Sequence, residues 1–360
     1  MKPLKFGNLT VPKPIVQGGM GVGISMSNLA SAVANQGGVG VISAAGTGMY
    51  DKDRNKDYLK ASLTKLASEI KIAKRKTKGI LGVNIMVALT GFGDMVKTAI
   101  DEGIDIIFAG AGLPLDLPKH IKEGIDTKIV PIISSARAAK IITHKWLKNY
   151  DYLPDGFVIE GPKAGGHLGF KPEQMDLPEY QLEAILKKTK ETLKPFEEKH
   201  GKSIPLIVAG GIYDSSDVRR YLDMGASGVQ LGTRFVATEE CDASDAFKET
   251  FINAQKSDIR LINSPVGLPG RAIHNAFLEA VDRGEKHPFA CPFDCIKTCA
   301  KEDAPYCISL ALYNAKAGKM KRGFAFAGEN AYRVDKIMSV KALFEELTKG
   351  ISDTRLDSTH

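Results

Sequence analysis

The sequence has no apolar run long enough to span a membrane. No stretch approaches the roughly 18 consecutive apolar residues that a transmembrane helix requires, and the first residues lack the continuous apolar segment of a signal peptide. Neither a membrane span nor a signal peptide is therefore predicted, and the cytoplasm is the expected location. In that compartment the five cysteines are expected to be thiols or metal ligands rather than disulfides.

A strong charge imbalance and low-complexity linkers are also missing. The 49 basic residues exceed the 42 acidic ones only mildly, giving a net charge of +7, and they are spread out apart from the run at 71–78. This excess fits an anionic small molecule and does not indicate a nucleic acid or membrane partner. Because no internal repeat is visible either, we expect one domain with insertions rather than two independent domains. A homodimer is the expected assembly.

Short apolar runs without polar alternation recur along the chain, and most of them end in glycine or a small polar residue. They lie at 14–17, 39–43, 80–86, 104–109, 128–134, 156–160, 205–209 and 228–232. Helix-like segments stand between them at 27–36, 93–103, 135–150 and 215–225. Runs of this kind are typical of strands buried on both faces of a parallel sheet.

Eight strand–helix alternations predict an α/β fold, a (β/α)8 TIM barrel with helical insertions and a cysteine-containing C-terminal extension. A doubly wound open sheet is the second possibility, and the absence of an early G-x-G-x-x-G turn argues against it. The barrel is expected to cover residues 1–238, with insertions at 44–79 and 168–203. Residues 239–360 are expected to form a helical region packed on the barrel.

Glycines follow the last two predicted strands. Gly210-Gly211 and Gly232-Thr233 would bring bare backbone N–H groups together at the C-terminal face of the barrel, where phosphate groups bind in this fold. Each pair alone would be consistent with a tight turn, but the spacing of the two pairs favours phosphate binding. Earlier in the chain, Gly18, Gly19 and Met20 could contact a flat ligand, and Asn84 could bind a ring edge or cap a turn.

Together these residues resemble the nitronate monooxygenase (2-nitropropane dioxygenase) family of FMN-dependent barrels, which includes enoyl-acyl-carrier-protein reductase II. The matching motifs are PIVQGGM at 14–20, GVNIM at 82–86, E-G-x-x-A-G-G-H-x-G at 160–169, AGGI at 209–212 and VQLGTRF at 229–235. The resemblance covers roughly residues 5–280. It implies a barrel that binds FMN at the C-terminal ends of its strands.

The resemblance also assigns roles to individual residues. His167 stands at the position of the family's catalytic histidine, where it could deprotonate a neutral nitroalkane or position a nitronate. The expected FMN-binding residues are Gly18, Gly19, Met20, Asn84, Ser134, Glu160, Gly165, Gly166, Ala209, Gly210, Gly211, Gln230, Gly232 and Thr233. The implied activity is oxidation of alkyl nitronates with oxygen.

Three alternatives stay open from the sequence. QGGM at 17–20 and Leu168 are closer to the reductase branch, which would use NAD(P)H and an enoyl thioester substrate. A second alternative is a redox sensor without turnover that contains a flavin and an iron–sulfur cluster. The third, a barrel of the inosine-monophosphate dehydrogenase type, lacks support because no G-x-x-C-x-T loop follows the sixth strand.

Four of the five cysteines lie close together near the C-terminus, at Cys291, Cys295, Cys299 and Cys307. On a helix the first three would share one face, and Cys307 would return to them from a loop. Four thiolates predict an iron–sulfur cluster or a zinc ion. The alternative is that reduced cysteines pack a helical tail.

Overall fold

The computed structural model describes residues 1–51, 53–287, 289, 291, 293–299 and 301–351. Its strands are β1 (Leu4–Phe6), β2 (Leu9–Val11), β3 (Ile15–Gln17), β4 (Gly40–Ser43), β5 (Leu81–Met86), β6 (Ile106–Gly110), β7 (Lys128–Ile133), β8 (Phe157–Glu160), β9 (Gly166–His167), β10 (Leu206–Ala209), β11 (Gly228–Leu231), β12 (Ile259–Asn263), β13 (Pro269–Ile273) and β14 (Ala325–Phe326). Its α-helices are α1 (Ser27–Asn35), α2 (Tyr58–Lys76), α3 (Phe92–Asp101), α4 (Ala136–Tyr150), α5 (Leu182–His200), α6 (Ser215–Asp223), α7 (Thr233–Val236), α8 (Asp245–Ile252), α9 (Ala276–Asp282), α10 (Ile308–Lys316) and α11 (Val340–Thr348).

Eight parallel strands form the barrel in the order β3-β11-β10-β8-β7-β6-β5-β4. The circle closes between β3 and β4, where the Gln17 N–H donates to the Val39 carbonyl at 3.0 Å and the Val39 N–H donates to the Ile15 carbonyl at 2.9 Å. The predicted TIM barrel is confirmed, and each predicted strand is found within a few residues of its expected bounds. The runs lack polar alternation because the barrel interior covers one face and the helices cover the other.

The interior of the barrel is closed at the N-terminal ends of its strands by the β1–β2 hairpin. Leu4, Phe6 and Val11 from this hairpin pack in one buried cluster with inward-facing residues such as Val16 and Phe108. Because these side chains fill the lower barrel, the space for a ligand along this axis lies at the opposite end.

The region after β11 was expected to be helical, and this is wrong in part. β12, β13 and β14 form a small antiparallel sheet, and β9, from the loop after β8, pairs with β13. The C-terminal region therefore contributes a sheet to the upper face of the barrel as well as helices. The 44–79 and 168–203 segments hold α2 and α5, as expected.

Asp242 joins the C-terminal region to the first barrel helix. Its carboxylate accepts the backbone N–H groups of Met26 at 2.8 Å and Leu29 at 3.1 Å, which lie at the N-terminus of α1. These donors have no partner within the helix, and a carboxylate is well suited to them. No described helix is both long enough and apolar enough to cross a membrane.

Candidate active site

A cavity of about 310 Å³ lies at the C-terminal ends of the barrel strands. Its floor consists of loop and strand-end residues from β3, β5, β8, β10 and β11, and its roof comes from β9, β14 and the segment that leads into α10. This is the face on which TIM barrels build their active sites, because the loops after all eight strands converge there.

Gly210 and Gly211, after β10, have left-handed backbone with φ of 99° and 82°. A Cβ on Gly210 would lie 3.0 Å from the Ala164 nitrogen, and one on Gly211 would lie 3.0 Å from Cβ of Lys163. Only glycine adopts this backbone at low cost and leaves the space open. Thr233 is the first residue of α7, and its Oγ1 accepts a hydrogen bond from the Gly328 N–H at 3.0 Å. This arrangement fits the phosphate of a bound cofactor.

The loop after β3 lies directly on the floor of the cavity. A Cβ on Gly19 would collide with Asn84, and a Cβ on Gly18 would lie 3.4 Å from the Gln230 side chain. Gly18 and Gly19 have no side chains, so a flat ring could approach their backbone closely. The side-chain amides of Asn84 and Gln230 line the same cavity and could form hydrogen bonds with the ring. The residues present therefore fit a flavin.

His167 lies in the roof, on β9, and lines the same cavity. Its Nε2 is 2.7 Å from Oγ of Ser264, and its ring contacts the edge of Phe326 with centroids 5.0 Å apart. Burial lowers the pKa of His167 to about 4. The imidazole is therefore neutral at physiological pH and able to exchange a proton or a hydrogen bond with a ligand.

Glu160 ends β8 and faces the cavity floor. Its carboxyl accepts no hydrogen bond from a described residue, and burial raises its pKa to about 7. A carboxylic acid that stays protonated near neutrality can donate to a ribityl hydroxyl or a ring oxygen, which a carboxylate cannot.

The raised pKa of Glu160 predicts that the stability this residue contributes to the FMN-free protein falls as pH rises. Between the unfolded pKa of about 4.5 and the folded pKa of about 7, the unfolded chain releases a proton that the folded protein retains. The contribution of Glu160 to the free energy of unfolding should therefore fall by about 3 kcal/mol across this window and level off above it. The lowered pKa of His167 acts in the opposite direction, because its contribution to stability rises with pH. Urea unfolding of wild type and Glu160→Gln at about pH 5 and about pH 7.5 measures the difference.

The substitution Glu160→Gln should remove this fall and leave the rise that His167 contributes, whereas Glu173→Gln, at an exposed carboxyl, should leave the pH dependence as in wild type. Equal pH dependence in wild type and Glu160→Gln would contradict a neutral Glu160.

Most residues that the sequence predicted for the site line this one cavity. They are Gly18, Gly19, Met20, Asn84, Glu160, Gly165, Gly166, His167, Ala209, Gly210, Gly211, Gln230, Gly232 and Thr233. Ser134 is the exception, since it lies against Gly169 outside the cavity wall. β7 ends at Ile133 and Ser135 caps α4, so the chain turns away there and Ile132 faces the cavity instead.

Other residues of the cavity were missed. Lys163 lies beside Gly211, and Asn330 Nδ2 donates to the Gly211 carbonyl at 2.7 Å. Lys163 was visible as the one lysine or arginine within the 160–169 motif. It lies beside the glycine cradle, by which we mean Gly210, Gly211, Gly232 and Thr233, and this position fits a partner for a phosphate group. Asn330 and Ser264 come from distant parts of the chain, and no local pattern marked them.

Cys291, Cys295 and Cys299 do not lie together on one face of a helix. Asp294 has left-handed backbone with φ of 46°, which an α-helix cannot include. The described residues of this segment are irregular, and Ile296 forms a single isolated bridge with Leu89 in the loop after β5. Pro292 and Ala300, inside the predicted cluster, lie outside the described residues.

The described cysteines do not form the predicted metal centre. No three Cys, His, Asp or Glu side chains among the described residues are grouped so that they could hold a metal ion. Cys295 alone of the four lines the cavity, with its Sγ 3.3 Å from Oγ of Ser309. Burial raises the pKa of Cys295, and that of Cys307 to about 11, so both are neutral thiols at pH 7.

Comparison with known proteins agrees with this geometry. The family model described as "Nitronate monooxygenase" matches residues 2–350. A probable nitronate monooxygenase of Staphylococcus aureus is 26% identical over 314 residues, covering 77% of this chain and 79% of that protein. A (3aS,4S,5R,7aS)-5-hydroxy-7a-methyl-1-oxo-octahydro-1H-indene-4-carboxyl-CoA dehydrogenase of Mycobacterium tuberculosis is 28% identical over 276 residues, covering 77% of this chain and 67% of that protein.

Among solved structures, FabK from Thermotoga maritima superposes with a TM-score of 0.71 at 27% identity, covering 94% of this chain and 92% of FabK. The barrel, the glycine cradle and the histidine above it thus coincide with a family match over nearly the whole described chain. This chain is an oxidoreductase that belongs to the nitronate monooxygenase family.

Proposed function

We propose that the protein is an FMN-dependent nitronate monooxygenase that oxidises alkyl nitronates with oxygen. The observation that carries this proposal is the shared cavity, which is lined by the glycines after β10 and β11, by His167 and by Gly18 and Gly19. FMN, when bound, would accept electrons from the substrate and pass them to oxygen. Gly210, Gly211, Gly232, Thr233 and Lys163 would hold its phosphate.

The protein side chains would then bind and orient the substrate. His167 offers a neutral imidazole that can donate a hydrogen bond to the nitronate oxygens. Phe326, which contacts the His167 ring, limits its movement. The roof formed by β9, β14 and the segment before α10 would exclude bulk water.

The end of the cavity beneath α10 is apolar, and this predicts the substrate's tail. It is lined by Leu89, Cys295, Ile296, Ile308, Ser309 and Leu312. Among the described residues that line the whole cavity, Lys163 is the one lysine or arginine, and it lies beside Gly211 at the cradle. A carboxylate in the apolar end would have no cationic partner, and burying an unpaired charge is costly. The substrate tail should therefore be alkyl.

We expect kcat/KM for pentyl nitronate to exceed that for propionate 3-nitronate by about tenfold or more, because only the second carries a carboxylate. The substitution Leu312→Lys should reverse this preference by supplying a cation in the apolar end. Leu310→Lys is the matched control, since Leu310 lies on α10 but not in the cavity wall. Steady-state oxygen consumption measures both ratios. A wild-type preference for propionate 3-nitronate would contradict an apolar tail site.

An NAD(P)H-dependent enoyl-thioester reductase is the second candidate, and the structural similarity to FabK favours it. Both activities would use the same cavity and differ in the electron donor. Anaerobic titration of the FMN-loaded protein separates them, since bleaching of the flavin absorbance by the nitronate alone supports the monooxygenase. Bleaching by NADH or NADPH, and not by the nitronate, would replace our proposal with the reductase.

A further inference from the structure

The C-terminal sheet places Ser264 next to His167. Ser264 lies in the turn between β12 and β13, and β13 pairs with β9 so that Gly270 stands opposite His167. Arg271, also on β13, is buried and donates to the carbonyls of Pro162 at 2.5 Å and Ala164 at 2.7 Å. The loop that carries His167 is thus fixed to the hairpin that carries Ser264.

The hydrogen bonds around Ser264 indicate which atom of the Ser264–His167 pair carries the shared proton. The Val266 N–H approaches Oγ of Ser264 at 3.5 Å, and a backbone N–H can only donate. Nε2 of His167, at 2.7 Å, is the other described partner of that oxygen. It is therefore the one described acceptor for the hydroxyl proton. If Nε2 carried a proton instead, the hydroxyl of the buried Ser264 would lack a described acceptor, and leaving a buried donor unsatisfied is destabilising.

We propose that Ser264 holds His167 in the tautomer with its proton on Nδ1, so that the imidazole offers the cavity a hydrogen-bond donor. Nδ1 has no described partner, and His167 lines the cavity, so this N–H is free for a ligand. The role rests on the proposed function. A nitronate, which is already an anion, accepts such a hydrogen bond, whereas a neutral nitroalkane requires a base that this tautomer does not supply.

The low pKa of His167, which follows from burial, agrees with this role because the ring carries a single proton near neutrality. Ser264 is then a positioning residue. It acts on the substrate only through the protonation pattern of the histidine ring.

The tautomer can be read directly from ¹⁵N chemical shifts of histidine-labelled, FMN-loaded protein, with the His167 signals assigned by their loss in His167→Gln. Wild type should show a protonated Nδ1 and an unprotonated Nε2. Ser264→Ala should shift the population to protonated Nε2, and Ser264→Thr, which keeps the hydroxyl, should restore the wild-type pattern. Ser257→Ala, an exposed serine before the other end of β12, is the control and should change nothing.

The kinetic counterpart is the ratio of kcat/KM for nitropropane to that for its nitronate, which should rise about tenfold in Ser264→Ala because Nδ1 gains a lone pair. A protonated Nε2 in wild type would overturn the inference, even if Ser264→Ala failed to fold. If the tautomer is as expected but nitronate is not oxidised, the proposed function fails and the role of Ser264 stands. If nitronate is oxidised but the proton is on Nε2, the proposed function stands and the role of Ser264 fails.

Discussion

The substitution Gly211→Val is expected to remove most bound FMN. A valine side chain here would be strained at a φ of 82°, and its Cβ would lie 3.0 Å from Cβ of Lys163. It would push Lys163 away and occupy the space in which backbone N–H groups would meet the phosphate. Since charge-assisted hydrogen bonds contribute about 1.5–3 kcal/mol each, losing one or two weakens FMN binding about 100-fold. Flavin fluorescence titration measures the Kd.

Backbone strain alone could also weaken the protein, and Gly201→Val controls for it. Gly201 has a φ of 58°, a Cβ placed on it would have no atom within 4 Å, and it caps α5 away from the cavity. This variant should incur similar strain and keep the wild-type Kd for FMN. Full flavin content with unchanged affinity in Gly211→Val would show that the phosphate binds elsewhere.

The second large effect is expected from His167→Ala. Because the imidazole is the one histidine in the cavity wall among the described residues, its loss should remove a charge-assisted hydrogen bond to the nitronate and lower nitronate turnover about 10- to 100-fold. FMN content should stay near that of wild type, since His167 lies in the roof and not in the phosphate cradle. Flavin absorbance and stopped-flow reduction of the FMN-loaded variant measure the two properties separately.

His144→Ala, at an exposed histidine on α4, is the matched control and should retain both activity and flavin. If His167→Ala lost its FMN, the residue would be structural. If it kept full turnover with FMN bound, the assignment of His167 as the catalytic residue would be wrong.

The sequence was informative wherever local pattern and barrel geometry coincided. Apolar runs without alternation marked the strands, and the closure of a barrel brings the residues after each strand together, so Gly19, Asn84 and Gly211 could be assigned to one site before any contact was known. Ser134 could not be resolved, because the decision depended on where β7 ends and α4 begins, a matter of one or two residues.

The roof of the site could not be predicted for a different reason. β13 pairs with β9 across about a hundred residues of sequence, and such a pairing leaves no local periodicity. The spacing of Cys291 and Cys295 suggested a helix, but the pairing of Ile296 with Leu89 and the left-handed Asp294 determine the backbone there. Tertiary contacts overrode the local pattern in both places.

The contribution of the C-terminal strands to the cavity has a consequence for the order of events during synthesis. Residues of the cavity floor occur in the sequence from Gly18 onward. The cavity is complete only when β14 and Asn330, near the C-terminus, are in place. A chain emerging from the ribosome can therefore close its eight-stranded barrel well before it can enclose a ligand. Capture of the cofactor in a closed pocket should be among the last steps of folding, limited by contacts between residues far apart in sequence.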